Sequence, residues 1–121
     1  MLTVAVALAA GLGAVARYLL DQTIEQRTSG SFPVGTLVVN LTGSLLMGLV
    51  VGLGLHHGLA RTPSIVIGVG FAGGYTTFST WAWESIALRE DGKPGQALVN
   101  ALGSFAAGLL AAAAGLGLAL L

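Results

Sequence analysis

The sequence predicts an all-α integral membrane protein of four transmembrane helices, the third of them broken mid-membrane. Three observations carry this. First, 55% of the residues are hydrophobic and 8% charged, five bases against five acids, whereas soluble domains carry about 25% charged residues. Ten charges cannot solvate a globule of 121 residues. Second, four stretches reach the roughly 20 apolar residues that a hydrocarbon core about 30 Å thick requires. Third, one stretch contains Gly73-Gly74-Tyr75-Thr76-Thr77-Phe78-Ser79-Thr80. Two glycines and four Ser or Thr residues are a poor filling for a lipid-facing helix, because each unsatisfied backbone group there costs several kcal/mol. Such a break survives where protein buries it or where it lines a watery path, and broken helices at membrane depth bind ions through freed carbonyls and helix ends.

The four spans are residues 2–20, 34–55, 63–88 and 96–121, forming one domain over 1–121 with no room for a soluble one. Residues 1–16 are apolar but lack a basic leader and continue apolar to Leu20, so they read as the first span rather than a cleaved signal. Pro33 and Pro63 fall just before or at helix starts, where a missing N–H does no harm. Residues 91–95, Asp-Gly-Lys-Pro-Gly, read as a turn between the last two spans. With no cysteine there is no disulfide framework and no thiolate site. Zero net charge gives no nucleic-acid reading.

Spans two and four share N-x-x-G-S-x-x-x-G. Asn40, Gly43, Ser44 and Gly48 recur as Asn100, Gly103, Ser104 and Gly108. Asn, Ser and Gly at every fourth position form one stripe down a helix. Small residues there permit close helix contact. A membrane-depth amide needs partners and equally suits a polar pathway. Arg17, one turn before Asp21, reads either as a snorkelling arginine with a local ion pair or as a fixed charge drawing an anion toward a pore. Glu84 is the only acid within a span and reads as solvated near a helix end or as a proton relay. His56 and His57 are adjacent and lack a third ligand, so no metal site is expected.

No enzyme constellation emerges. There is no carboxylate pair, no nucleophile with a base and no phosphate-cradling loop. The membrane-depth polar groups are instead neutral donors: Asn40, Ser44, Thr76, Thr77, Ser79, Thr80, Asn100 and Ser104. Phe78 and Trp81 share a helix face, and an aromatic edge is electropositive. Donors, ring edges and one arginine suit a small anion. Four short helices hardly enclose a pore, which points to an oligomer.

The chain resembles the Fluc/CrcB family of fluoride channels along nearly its whole length. The resemblance is carried by Gly11-Leu12-Gly13-Ala14-Val15-Ala16-Arg17-Tyr18, by Gly35-Thr36-Leu37-Val38-Val39-Asn40-Leu41-Thr42-Gly43-Ser44 and by residues 73–80. It implies an antiparallel, dual-topology dimer with two fluoride pores at the subunit boundary. It also implies a structural sodium ion held at the break by backbone carbonyls, matching Gly73 and Thr76 here. The fluoride pathway would involve Arg17, Asn40, Phe78, Thr80, Trp81, Asn100 and Ser104. Trp81 stands where the family has a second pore phenylalanine, and Asn100 where many members have tyrosine.

The function implied is passive fluoride export across the cell inner (plasma) membrane, which protects against fluoride toxicity. The interior potential supplies about 2.3 kcal/mol per charge per 100 mV. Basic residues divide four (Arg17, Arg27, Arg89, Lys93) against one (Arg61) between the two sides. Discounting Arg17 as a pore residue and adding the terminal amine brings this near balance. That suits a dual-topology homodimer, with a paralogous partner subunit as the alternative. The competing function is a small multidrug-type proton-coupled transporter, which requires a membrane-embedded acid that span one lacks. A purely structural assembly protein would conduct nothing.

Overall fold

The computed structural model describes residues 1–121, and every regular element is helical. Helices α1 (Leu2–Arg27), α2 (Val34–His56) and α5 (Pro94–Leu118) are each long and apolar enough to cross a membrane. Between α2 and α5 lie two shorter helices, α3 (residues 61–75) and α4 (Ser79–Glu90). Thr76 separates them in an extended conformation, at φ −78° and ψ 161°.

Several boundaries differ from the sequence expectation, and α5 runs over Pro94–Leu118 rather than 96–121. Helix α1 continues past Leu20 to Arg27, because Asp21 to Arg27 contains no Gly or Pro and is rich in Gln, Glu and Arg, which favour helix without being apolar. Helix α3 starts at Arg61, ahead of Pro63, which sits within the first turn. The break occupies residues 76–78, later than the glycines suggest, since Gly73 and Gly74 are helical.

Gly74 serves packing, whereas Gly73 is exposed and meets no other helix. A Cβ on Gly74 would strike the Ala10 carbonyl, one on Gly13 the Phe71 carbonyl, and one on Gly70 would lie 2.9 Å from the Ala9 Cβ. Backbone thus lies on backbone, and α1 and α3 run parallel. The same device joins α2 to α5. Gly48 abuts the Ala112 carbonyl, Gly115 the Leu45 carbonyl and Gly52 the Ala119 side chain. That pair is also parallel, while α1 and α2 are antiparallel, with Gly35 at the start of α2 set against Asp21 late in α1. In lipid such contacts hold helices by dispersion rather than by the hydrophobic effect.

Helix α4 ends as the turn signals predict. Gly92 takes φ 75°, Lys93 N–H donates to the Leu88 carbonyl and Gly92 N–H to the Arg89 carbonyl, the paired bonds of a glycine-terminated helix. Residues 66–72 and 99–103 wind more widely, as π-helix, which the sequence does not announce. Only 18 of the 121 residues are buried, so most helix faces await lipid or another subunit.

Candidate functional site

The break is held from α2. Asn40 Nδ2 donates to the Thr77 carbonyl at 2.9 Å, and Asn40 Oδ1 accepts from the Thr77 amide at 2.9 Å. One side chain therefore satisfies both backbone groups of Thr77, which lies outside regular helix and which hydrocarbon would otherwise penalise by several kcal/mol. Thr76 closes the preceding helix, its N–H and its hydroxyl both donating to the Ala72 carbonyl. Thr77 Oγ accepts from the Thr80 amide at 3.2 Å, taking one of the orphan donors at the start of α4. Arg17 Nη1 donates to the Thr76 carbonyl at 3.1 Å. In a continuing helix the Thr77 amide would bond the Gly73 carbonyl. Asn40 diverts it, so the Gly73 carbonyl lacks that partner.

Beside the break an open groove of about 410 Å³ is lined from α2, the break and α5, among others by Asn40, Ser44, Thr77, Phe78, Trp81 and Ser104. Phe78 is 77% exposed on this chain. Its ring lies 5.1 Å from that of Trp81, tilted by 56°, so the face shared by these two residues is real. Ser44 faces α5 at Gly108, where an added Cβ would lie 3.7 Å from Ser44 Oγ.

The other motif asparagine turns away from the groove. Asn100 is 1% exposed. Its Nδ2 donates to Ser85 Oγ at 2.8 Å and to the Trp81 carbonyl at 3.4 Å. Its Oδ1 accepts from Ser104 Oγ at 3.2 Å, and its carbonyl accepts from Trp81 Nε1 at 2.9 Å. The repeated motif thus carries two asparagines that both grip the third segment, Asn40 at the break and Asn100 on α4. Neither partner could be found by spacing. Ser85 had one faint signal, its place one turn after Trp81, where Ser85 Oγ donates to the Trp81 carbonyl at 2.9 Å.

Arg17 does not pair with Asp21. It reaches the break instead and lines a smaller cavity of about 180 Å³ with Asp21, Thr36, Thr77 and Thr80. Thr80 lies there rather than in the larger groove. Glu84 Oε1 accepts from Thr36 Oγ at 2.9 Å, which makes Thr36 a site-side contact that sequence reasoning overlooked. Glu84 Oε2 and Asp21 Oδ1 are buried without a partner. His57 Nε2 bonds the Ala119 carbonyl, joining the ends of α2 and α5.

Fold and site together define a small helical membrane protein whose polar groups converge on a helix interrupted at depth. The family model described as "CrcB-like protein, Camphor Resistance (CrcB)" matches residues 4–116, and the chain belongs to that family. It is 46% identical over 118 residues to a protein of Leifsonia xyli subsp. xyli named fluoride-specific ion channel FluC 1, covering 98% of this chain and 85% of that one. It is 45% identical over 114 residues to FluC 2 of Cutibacterium acnes, covering 93% of each. It is 42% identical over 112 residues to FluC 2 of Mycobacterium bovis, covering 93% of this chain and 86% of that one.

Proposed function

We propose that the protein is a fluoride-selective channel that lets the anion leave the cell passively down its electrochemical gradient. The observation that carries the reading is the Asn40 clamp, which fixes a non-helical segment beside a groove lined by neutral polar residues and aromatic rings. A small anion holds water tightly, and dense hydroxyl and amide donors with electropositive ring edges replace that water without a cationic trap. The names of the relatives point the same way. No acid lines the groove, which disfavours the proton-coupled drug transporter.

In this reading α3 and α4 together make the third of four crossings, in the cell inner membrane. The groove is open along one side, Phe78 stands exposed on it, and Gly73 is exposed nearby at the end of α3. A second, antiparallel subunit, identical or paralogous, would close the groove twice over and yield two pathways. Arg17 gives the approach a positive charge. Asn40, Phe78 and Trp81 face the ion, Ser104 lines the groove with its hydroxyl hydrogen given to Asn100 Oδ1, and Thr80 flanks it from the smaller cavity.

The residues at the break suit a sodium ion. Gly73 offers a carbonyl left without its helical partner, and the Thr76 carbonyl keeps a second lone pair after accepting from Arg17. Both lie at the C-terminal end of a helix, where partial negative charge gathers. Bound there, the ion supplies fixed positive charge between subunits.

Purified protein in liposomes is expected to release fluoride rapidly and chloride negligibly, each followed with an ion-selective electrode. Comparable chloride release, or release of neither, would overturn the channel reading. Exchanging sodium for a large organic cation during purification is expected to depress fluoride efflux; an unchanged rate would remove Gly73 and Thr76 as ligands.

A further inference from the structure

One wall of the groove is held by a closed set of hydrogen bonds on its far side. Trp81 and Ser104 line the groove, but Asn100 does not. Both Asn100 Nδ2 hydrogens are engaged, by Ser85 Oγ and by the Trp81 carbonyl, its Oδ1 is taken by Ser104 and its carbonyl by the indole N–H. To meet an ion, the Asn100 amide would have to abandon Ser85 and Trp81 and leave Oδ1 misplaced, each lost buried partner carrying a desolvation cost. The indole N–H is likewise committed, so Trp81 presents ring rather than donor to the groove. The wide turn at residues 99–103 is the local departure that sets a helix carbonyl facing the indole, the kind of bulge that recurs at functional sites.

We propose that Asn100 and Ser85 are positioning residues that act through the backbone: their side chains tie α5 to the Trp81 carbonyl on α4 and so keep the Asn100 carbonyl opposite the indole N–H, which fixes the ring beside Phe78, and that the permeating ion passes the Trp81 ring without touching the Asn100 amide. The proposal rests on the channel reading and reassigns one member of its pathway. The wider aromatic, set 5.1 Å from Phe78, leaves a passage only while its tilt is fixed. Freed, the indole swings into the groove it lines.

The test separates lock from lining. With Trp81 present, Asn100→Ala and Ser85→Ala are each expected to slow fluoride efflux about tenfold, the scale of one or two lost buried hydrogen bonds. Ser85→Thr, which keeps the hydroxyl, is expected to retain the rate. In a Trp81→Phe background, Asn100→Ala is expected to change the rate less than about twofold, because coupled residues are non-additive. Equal slowing in both backgrounds would overturn the lock.

A second readout does not need transport. Trp81 and Trp83 are the only tryptophans, and Trp83 is 69% exposed, so Trp83→Phe isolates the Trp81 emission. Ser85→Ala should then lower the anisotropy of Trp81 and shift its emission, and Ser85→Thr should restore both. Unchanged emission and anisotropy would overturn the lock. Absence of fluoride efflux from the unmodified chain would defeat the channel reading, and the emission would then decide the lock alone.

Discussion

Replacing Asn40 by alanine is expected to reduce fluoride efflux from proteoliposomes about 30- to 1,000-fold, the loss of two part-buried bonds at about 1–2 kcal/mol each. The side chain holds both backbone groups of Thr77. Without it the segment has two ways to satisfy those groups. It can close the helix through residues 76–78, which carries Phe78 out of its place, or it can admit water. Either outcome alters the groove. Asn40→Asp keeps an acceptor for the Thr77 amide but turns a carboxylate oxygen toward the Thr77 carbonyl and sets a negative charge beside the anion's path, so it should not restore the rate. A normal rate for Asn40→Ala in folded, detergent-stable protein would show that the break holds its shape unaided and would remove Asn40 from the pathway.

Gly74→Ala is expected to abolish folded protein rather than merely slow it. The new methyl would meet the carbonyl, Cα and carbonyl carbon of Ala10, and backbone cannot yield as a flexible side chain can. Helices α1 and α3 would have to separate, undoing the contacts at Gly13 and Gly70 as well. Overpacking of a close interface costs about 1–3 kcal/mol and occasionally more, a large share of a marginal stability. The readout is the monodisperse fraction in size-exclusion chromatography after detergent extraction. Gly117→Ala, where an added Cβ meets nothing within 4 Å, is the control expected to behave as the parent. A normal elution profile for Gly74→Ala would show that the α1–α3 contact is looser than its geometry.

The long helices are legible because length and a long apolar stretch are one-dimensional properties, and α1, α2 and α5 have both. The break was legible in kind but displaced. Gly73 and Gly74 look like helix breakers in sequence, whereas here both are helical and Gly74 is a spacer that lets α3 lie on α1, and the interruption falls on the threonines that Asn40 can reach. Residues 21–27 looked like a connection because they are polar, yet helix needs only bonded backbone. The stripe on α2 and α5 was legible as a stripe, but its division of labour was not. Gly48 and Gly52 pack, Ser44 and Asn40 face the groove, and Asn100 faces α4. Which way a polar side chain turns depends on the rotation of its helix against neighbours that periodicity does not place. Arg17 shows the same limit: Asp21 is its neighbour in sequence, but Thr76, 59 residues away, is its partner.

The two asparagine anchors also bear on how the chain is made. The interrupted segment is gripped by Asn40, which leaves the ribosome before it, and by Asn100, which leaves after it. During synthesis the break therefore has its first clamp waiting, while Trp81 and Ser85 lack their counterpart until α5 has entered the membrane. The final helix of the chain completes the geometry of the one before it, so nascent chains halted in the α4–α5 turn hold a half-built site.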